Sequence, residues 1–289
     1  MNVGFRSLFN YTPVFLIILV LVVLNWLVYS IIYIEESRPP LVVNFLDAGQ
    51  ADATLIETSE GNRLLIDSGG GERTASAVLD LLPFYDQNID VVIITHPHLD
   101  HIGALPLILE HADVGVVLDS GSGYDSAAAE NYRLSLKEYD LKKIYARRGM
   151  TIRLNQEVAV FVLFPDRNTY SMDPDDASIW VRVVHGENSF LFTGDAFSAM
   201  EEYMVSLDGR RLQSNVLQAG HHGSKNSNSI ELLRAVTPEY VVVSAGEDSR
   251  HGHPHQEALE RFQLIGAETL ETSVEGGVMF ISNGEDLEY

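Results

Sequence analysis

The sequence contains no cysteine, which excludes a disulfide framework, a thiolate metal site and a thiol nucleophile together. Basic residues are scarce: 19 Lys and Arg stand against 41 Asp and Glu, for a net charge of −22. Only Lys137, Lys142, Lys143 and Lys225 are lysines. That balance argues against a protein that grips nucleic acid through a broad basic face, because each neutralised phosphate needs a cation. No repeat and no low-complexity linker interrupts the chain after Pro40, so one domain is expected there. Beyond a single amino-terminal run, no stretch is apolar and long enough to cross a bilayer, which leaves no multi-helix channel in this sequence.

That run extends from Tyr11 to Ile34, with Asn25 and Ser30 its plainly polar interruptions. It exceeds the roughly 7–15 apolar residues of a signal peptide, and no small-x-small cleavage site follows it. An uncleaved anchor over residues 12–34 is therefore expected, with a tail at 1–11, a linker at 35–40 and a domain at 41–289. Trp26, Tyr29 and Tyr33 sit toward its end, where amphipathic rings favour the membrane interface. Arg6 precedes the run, while Glu35 and Glu36 follow it. This asymmetry places the tail on the cytoplasmic side of the cell membrane and the domain outside. Arg38-Pro39-Pro40 makes a short, stiff connection.

The densest chemistry lies at Thr95-His96-Pro97-His98-Leu99-Asp100-His101, directly after the apolar run Val91–Ile94. Three imidazoles and a carboxylate at the end of a buried strand are costly unless something binds them. A divalent metal is the natural candidate. In an extended segment His96 and His98 turn to one side, while Asp100 and His101 reach a second position as the chain bends away. Imidazole with carboxylate suits zinc, manganese or iron rather than calcium or magnesium, and paired metals are a standard arrangement for splitting phosphoesters or amides.

The remaining pattern alternates. Leu41–Asp47, Ala53–Glu57 and Arg63–Ile66 read as a strand meander, Glu72–Leu82 as a helix, and Gly103–Glu110 and Ser126–Tyr139 as further helices around the strand Val114–Leu118. In the second half, Val158–Phe164, Ala177–Val184, Ser189–Thr193, Val216–Ala219 and Tyr240–Ser244 read as strands. Ala196–Val205, Ser229–Val236 and Gln256–Leu264 read as helices. Such halves predict two sheets packed face to face with helices outside, a four-layer αββα sandwich of the α/β (α+β) class. Asp195 in Thr193-Gly194-Asp195, the pair His221-His222 and the group His251-Gly252-His253-Pro254-His255 all fall just past expected strands, where a rigid scaffold positions loop residues.

The H-x-H-x-D-H block resembles the signature of the metallo-β-lactamase superfamily. Asn44–Ala53, Leu65–Gly69, Asp176-Ala177-Ser178, Phe190–Asp195, Gly220–Ser224 and Gly252–His255 follow in an order similar to the hydrolase domain of ComEC-type competence proteins. Phosphorylcholine esterases of the same superfamily share the layout. The resemblance implies two divalent ions, zinc or manganese. His96 and His98 would hold one, Asp100 and His101 the second; Asp195 would bridge them and His221 complete the second site. It further implies catalytic roles for Asp100, for His253 in substrate contact or proton transfer, and for His222 behind the ligands or on phosphate. Asp47 and Asp67 match positions that orient ligand rings.

Two departures stand out. Many members carry a further histidine ligand in mid-chain, whereas Asp173–Ser178 has none, which leaves three readings: a more weakly held first ion, an extra water on it, or Asp176 as its ligand; His185 reads as a surface residue. Ala51 stands where the competence family usually has glycine. The implied reaction is hydrolysis of a phosphoester, with extracellular DNA as the implied substrate. The alternatives are a non-catalytic, membrane-tethered metal-binding interaction domain and a β-lactam or small-ester hydrolase.

Overall fold

The computed structural model describes residues 12–36, 39–246, 249 and 251–289, so the expected tail at 1–11 and Ser37 and Arg38 of the expected linker lie outside the described residues. The chain divides into two units, Met1–Pro39 and Pro40–Tyr289. The first holds helix α1 (Thr12–Glu36), in which Leu, Ile and Val predominate. Its window Pro13–Ser30 has a mean hydropathy of 2.4 and no buried residue. Among the described residues it is the one helix long and apolar enough to cross a membrane, which makes it a candidate span.

The second unit opens with the antiparallel meander β1 (Leu41–Phe45), β2 (Ala53–Thr58) and β3 (Arg63–Ser68). Helix α2 (Glu72–Leu81) then leads to β4 (Asn88–Ile94), which runs parallel to β3. Short helices α3 (Leu99–Ile102) and α4 (Leu105–Ile108) precede β5 (Asp113–Asp119), and α5 (Ala127–Glu138) precedes β6 (Lys143–Tyr145). Both of those strands continue the parallel run.

The second sheet starts with β7 (Thr151–Arg153), β8 (Val158–Phe164), β9 (Trp180–His185) and β10 (Asn188–Phe192), all antiparallel. Parallel strands then follow: α6 (Ser198–Asp208) leads to β11 (Val216–Gln218), α7 (Ile230–Val236) to β12 (Tyr240–Val243), and α8 (Gln256–Ile265) to β13 (Glu268–Glu271). After α9 (Thr272–Glu275) the chain returns to the first sheet, where β14 (Val278–Ser282) pairs with β1 and β15 (Leu287–Glu288) forms the edge. The sheet orders are β15-β14-β1-β2-β3-β4-β5-β6 and β13-β12-β11-β10-β9-β8-β7.

Side-chain alternation explains the layering. Leu64, Ile66, Val91 and Ile93 point between the sheets, where they meet Phe190, Phe192 and Val242; Leu65, Val92 and Ile94 point outward beneath α2, α4 and α5. Leu191, Val241 and Val243 do the same beneath α6, α7 and α8. Three apolar interfaces require four layers, so the expected αββα arrangement is the one observed. Coverage of both sheet faces is why the central strands read as unbroken apolar runs. Phe192 is fully buried and stacks on Phe45 at 5.7 Å across the sheets. Phe192→Ala is expected to cost about 3–5 kcal/mol in urea unfolding, since rigid sheets cannot collapse into the space.

Some local expectations change. The helix expected over Gly103–Glu110 begins earlier, at Leu99, and is divided into α3 and α4, with Pro106 in the first turn of the second piece. The strand expected from Ala177 begins only at Trp180, because Asp173 Oδ1 accepts the amide of Asp175 (3.1 Å) and folds the preceding residues into a turn. His185 is a correction: it is buried rather than at the surface, and its Nδ1 meets Ser282 Oγ at 2.8 Å, because β14 returns beside it.

Candidate metal centre

Because β3, β4 and β5 are mutually parallel, and β10, β11 and β12 likewise, their carboxyl ends gather on one rim of each sheet. The two rims meet. Ile179 N donates to Thr95 O at 3.0 Å, tying the loop after β4 to the second sheet. Gly194, just past β10, has φ +55°, and a Cβ there would stand 2.6 Å from Ser178 Oγ, so this close approach requires glycine.

Asp67, next to last in β3, adopts the left-handed region at φ +54°, which Asp tolerates better than most residues. Its carboxylate accepts the Thr95 amide and hydroxyl, each at 2.7 Å, and meets His101 Nδ1 at 2.8 Å. The His101 ring is thereby turned so that Nε2 faces Asp195 Oδ2 at 3.5 Å. That same oxygen lies 3.9 Å from His96 Nε2, 3.7 Å from His221 Nε2 and 3.9 Å from His222 Nε2.

Two donor groups surround this carboxylate: His96, His98 and Asp175 in one, Asp52, His101, Asp195 and His222 in the other. His98 Nδ1 and His96 Nε2 stand 3.0 and 3.5 Å from Asp175 Oδ1. Asp100 lies outside both groups, with its Oδ2 3.3 Å from His222 Nε2. His222 is locked from behind by Ser244 O, 2.8 Å from Nδ1, with Asp52 Oδ1 at 3.5 Å.

The grouping differs from the sequence expectation in four places, the first being Asp100, expected to hold the second ion but outside both groups. Asp175, not Asp176, joins His96 and His98; Asp176 Oδ1 instead accepts the Phe197 amide at 3.1 Å. His222 enters a donor group, whereas His221 reaches Asp195 from the mouth but belongs to neither group. The two histidines do not alternate as in a strand, because both adopt left-handed backbone, with φ of 50° and 53°. The loop is held by Asn228, whose side chain bonds Gly220 N and O and Ser224 O. Asp52 was not anticipated at all. Asp47 faces away toward Arg73, with which it pairs. His253 lies at the mouth, its ring 5.5 Å from that of His221, and Gln50 Nε2 donates to its Nδ1 at 3.2 Å.

Electrostatics mark this as a cation site. Burial would lower His101 and His222, yet Asp195 with Asp67 holds the first, and Asp52 with Asp195 the second, well above the ordinary histidine range. Burial would raise Asp195, but His101 and His222 keep it well below the carboxylate range. Burial and the nearby His101 keep His96 neutral. Asp52 Oδ1, His101 Nε2, Asp175 Oδ1 and Asp195 Oδ1 are all buried without a hydrogen-bond partner among the described residues. Each such atom costs about 1–3 kcal/mol. Divalent cations would satisfy these atoms together, and an imidazole and carboxylate set without thiolate suits zinc or manganese. The residues present fit a metal.

Comparison with known proteins agrees. The chain is 30% identical over 253 residues to Recombination protein 2 of Haemophilus influenzae, covering 86% of this chain and 30% of that protein. It is 27% identical over 265 residues to Competence protein ComA of Neisseria gonorrhoeae, covering 88% and 35%. It thus spans about a third of the length of these curated relatives. Among solved structures, the metallo-beta-lactamase fold protein YhfI from Bacillus subtilis superposes with a TM-score of 0.54 at 14% identity, over 85% of this chain and all of that one, which speaks for the fold. The family model of the metallo-beta-lactamase superfamily matches residues 46–247, and the chain belongs to that superfamily.

Proposed function

We propose that this chain is a membrane-anchored, dinuclear metal-dependent phosphoesterase that acts on DNA outside the cell membrane. Residues 12–34 are its anchor, residues 1–11 a cytoplasmic tail, residues 35–40 a linker and residues 41–289 the hydrolase domain. The observation that carries the reading is the convergence of four imidazole Nε2 atoms within 3.9 Å of Asp195 Oδ2, with donor groups on either side. The names of the curated relatives, recombination and competence proteins, support DNA as the substrate.

His96, His98 and Asp175 would hold one ion and His101 and His222 the other, with Asp195 shared; Asp100, outside both donor groups but 3.3 Å from His222 Nε2, would join the second. Two divalent cations, zinc or manganese, would lower the pKa of water and neutralise charge growing on the phosphoryl oxygens. Asp67 fixes which ring nitrogen His101 presents, and Ser244 with Asp52 does the same for His222. His253 is pushed down to about 4, by burial and by His222 and His221 beside it, so its ring is neutral near pH 7. Because Gln50 donates to Nδ1, the proton sits on Nε2, from which His253 can donate to a phosphoryl or leaving-group oxygen.

The test is to purify the full chain in detergent, measure bound metal, and assay bis-p-nitrophenyl phosphate, single-stranded DNA and a β-lactam. Metal with turnover of the diester is the expected result. Metal without turnover of any ester would leave a tethered binding module, and turnover of the lactam alone a lactam hydrolase. Asp67→Asn is expected to weaken metal affinity about 10–100-fold, measured by competition with a chelating dye, because His101 then loses the carboxylate that aims it.

A further inference from the structure

The rim that carries the metal centre continues past β4. Asp119 and Tyr145 end the next two parallel strands, β5 and β6, on that rim. A cavity of about 330 Å³ opens beside them, and Pro97, the residue between His96 and His98, forms part of its wall. The loop beyond β5 also touches the centre directly, since the Tyr124 ring meets that of His98 edge-on at 4.8 Å.

Three tyrosines line this cavity, of which Tyr132 is buried and two are open to solvent, Tyr145 at 52% exposure and Tyr170 at 71%. The Tyr170 ring lies against Gly123, where a Cβ would come within 2.9 Å of it, so this close approach requires glycine. Lys143 lines the cavity too, with Nζ 5.0 Å over the Tyr145 ring and 3.7 Å from Asp119. Asp119 is already engaged by the Tyr132 hydroxyl (2.9 Å) and the Gly121 amide (2.7 Å), so the ammonium keeps donors to spare. Arg147 flanks the same ring at 6.0 Å. Seven of the 19 basic residues fall between positions 133 and 153. Arg133, also on the cavity wall, is paired with Asp125 and Glu130, and Arg148 with Asp208, so among the described residues Lys143 and Arg147 are the cations beside the solvent-facing rings, where they make a local surface for a flat, anionic ligand.

We propose that this cavity is a nucleotide subsite: an unpaired base of a single-stranded nucleic acid stacks on Tyr170 and Tyr145 while Lys143 holds the adjoining phosphate. The strand then passes Pro97 and presents a neighbouring phosphate to the centre. A duplex cannot bind this way, because its base faces are already stacked. The cleavage part rests on the phosphoesterase reading above; the binding part does not.

The test uses the full chain in detergent, anisotropy of a fluorescein-labelled oligothymidylate, and turnover of the small diester methyl p-nitrophenyl phosphate, which carries no base. Tyr170→Ala is expected to weaken oligonucleotide binding about tenfold, Tyr170→Phe to preserve it, and both to leave small-diester turnover unchanged. Lys143→Gln is expected to lower the slope of log affinity against log salt by about 0.7. Equal binding by Tyr170→Ala and wild type, equal affinity for a duplex, or no binding by wild type overturns the subsite. Binding that depends on Tyr170 without turnover of any diester overturns the phosphoesterase reading and leaves the subsite standing.

Discussion

Asparagine in place of Asp195 is expected to lower kcat/KM for bis-p-nitrophenyl phosphate by more than about 10³-fold and to strip metal from the purified protein. Substituting a group that merely orients a ligand costs about 10–100-fold. Asp195 stands deeper in the arrangement than such a group, because its Oδ2 lies within 3.9 Å of imidazoles from both donor groups. The amide has nearly the shape of the carboxylate but no charge, so the buried imidazoles lose their shared anion while the packing stays. Metal content by emission spectroscopy and turnover should fall together. A variant that keeps its metal and works within tenfold of wild type would remove Asp195 from the centre.

The second large effect separates two neighbouring residues. His222→Ala is expected to lose about half of the bound metal and at least 10²-fold in turnover, whereas His221→Ala should retain its metal and change turnover less. The contrast follows from geometry. His222 is buried, with Nδ1 at Ser244 O and Nε2 facing Asp100 and Asp195; His221 is partly solvated, tilts against Phe197 and, among the described residues, meets only Asp195 of the acids. The reverse pattern of metal loss would return the ligand role to His221.

The apolar runs at β3, β4, β8 and β10 and the histidine motif after β4 were legible from the residues alone, because period, length and ligand spacing are local properties. Asp195 was legible for the same reason, as a carboxylate after Gly at a strand end. Asp175 was legible only to within one position, since Asp173–Ser178 was singled out with Asp176 as its candidate, and the turn closed by Asp173 Oδ1 is not readable from spacing. Asp52 was obscured by a composition typical of turns. The choice between His221 and His222 depends on a left-handed backbone that Asn228 enforces from eight residues downstream of Gly220. Strand β14 is a distant partner of β1, with Val43 opposite Phe280, and no neighbouring residue announces that pairing. His185 was misread for that reason, since the strand that covers it is the one that returns late.

The bond from Ile179 to Thr95 crosses between the two halves of the sandwich at the rim where the acidic and imidazole side chains collect. Since Asp67, His96 and His101 arrive from one half and Asp175, Asp195 and His222 from the other, whatever these groups grasp also acts as a clasp. Loading the centre then fastens the sandwich along one seam, and its grip on the ion and the cohesion of the fold become two readings of a single equilibrium.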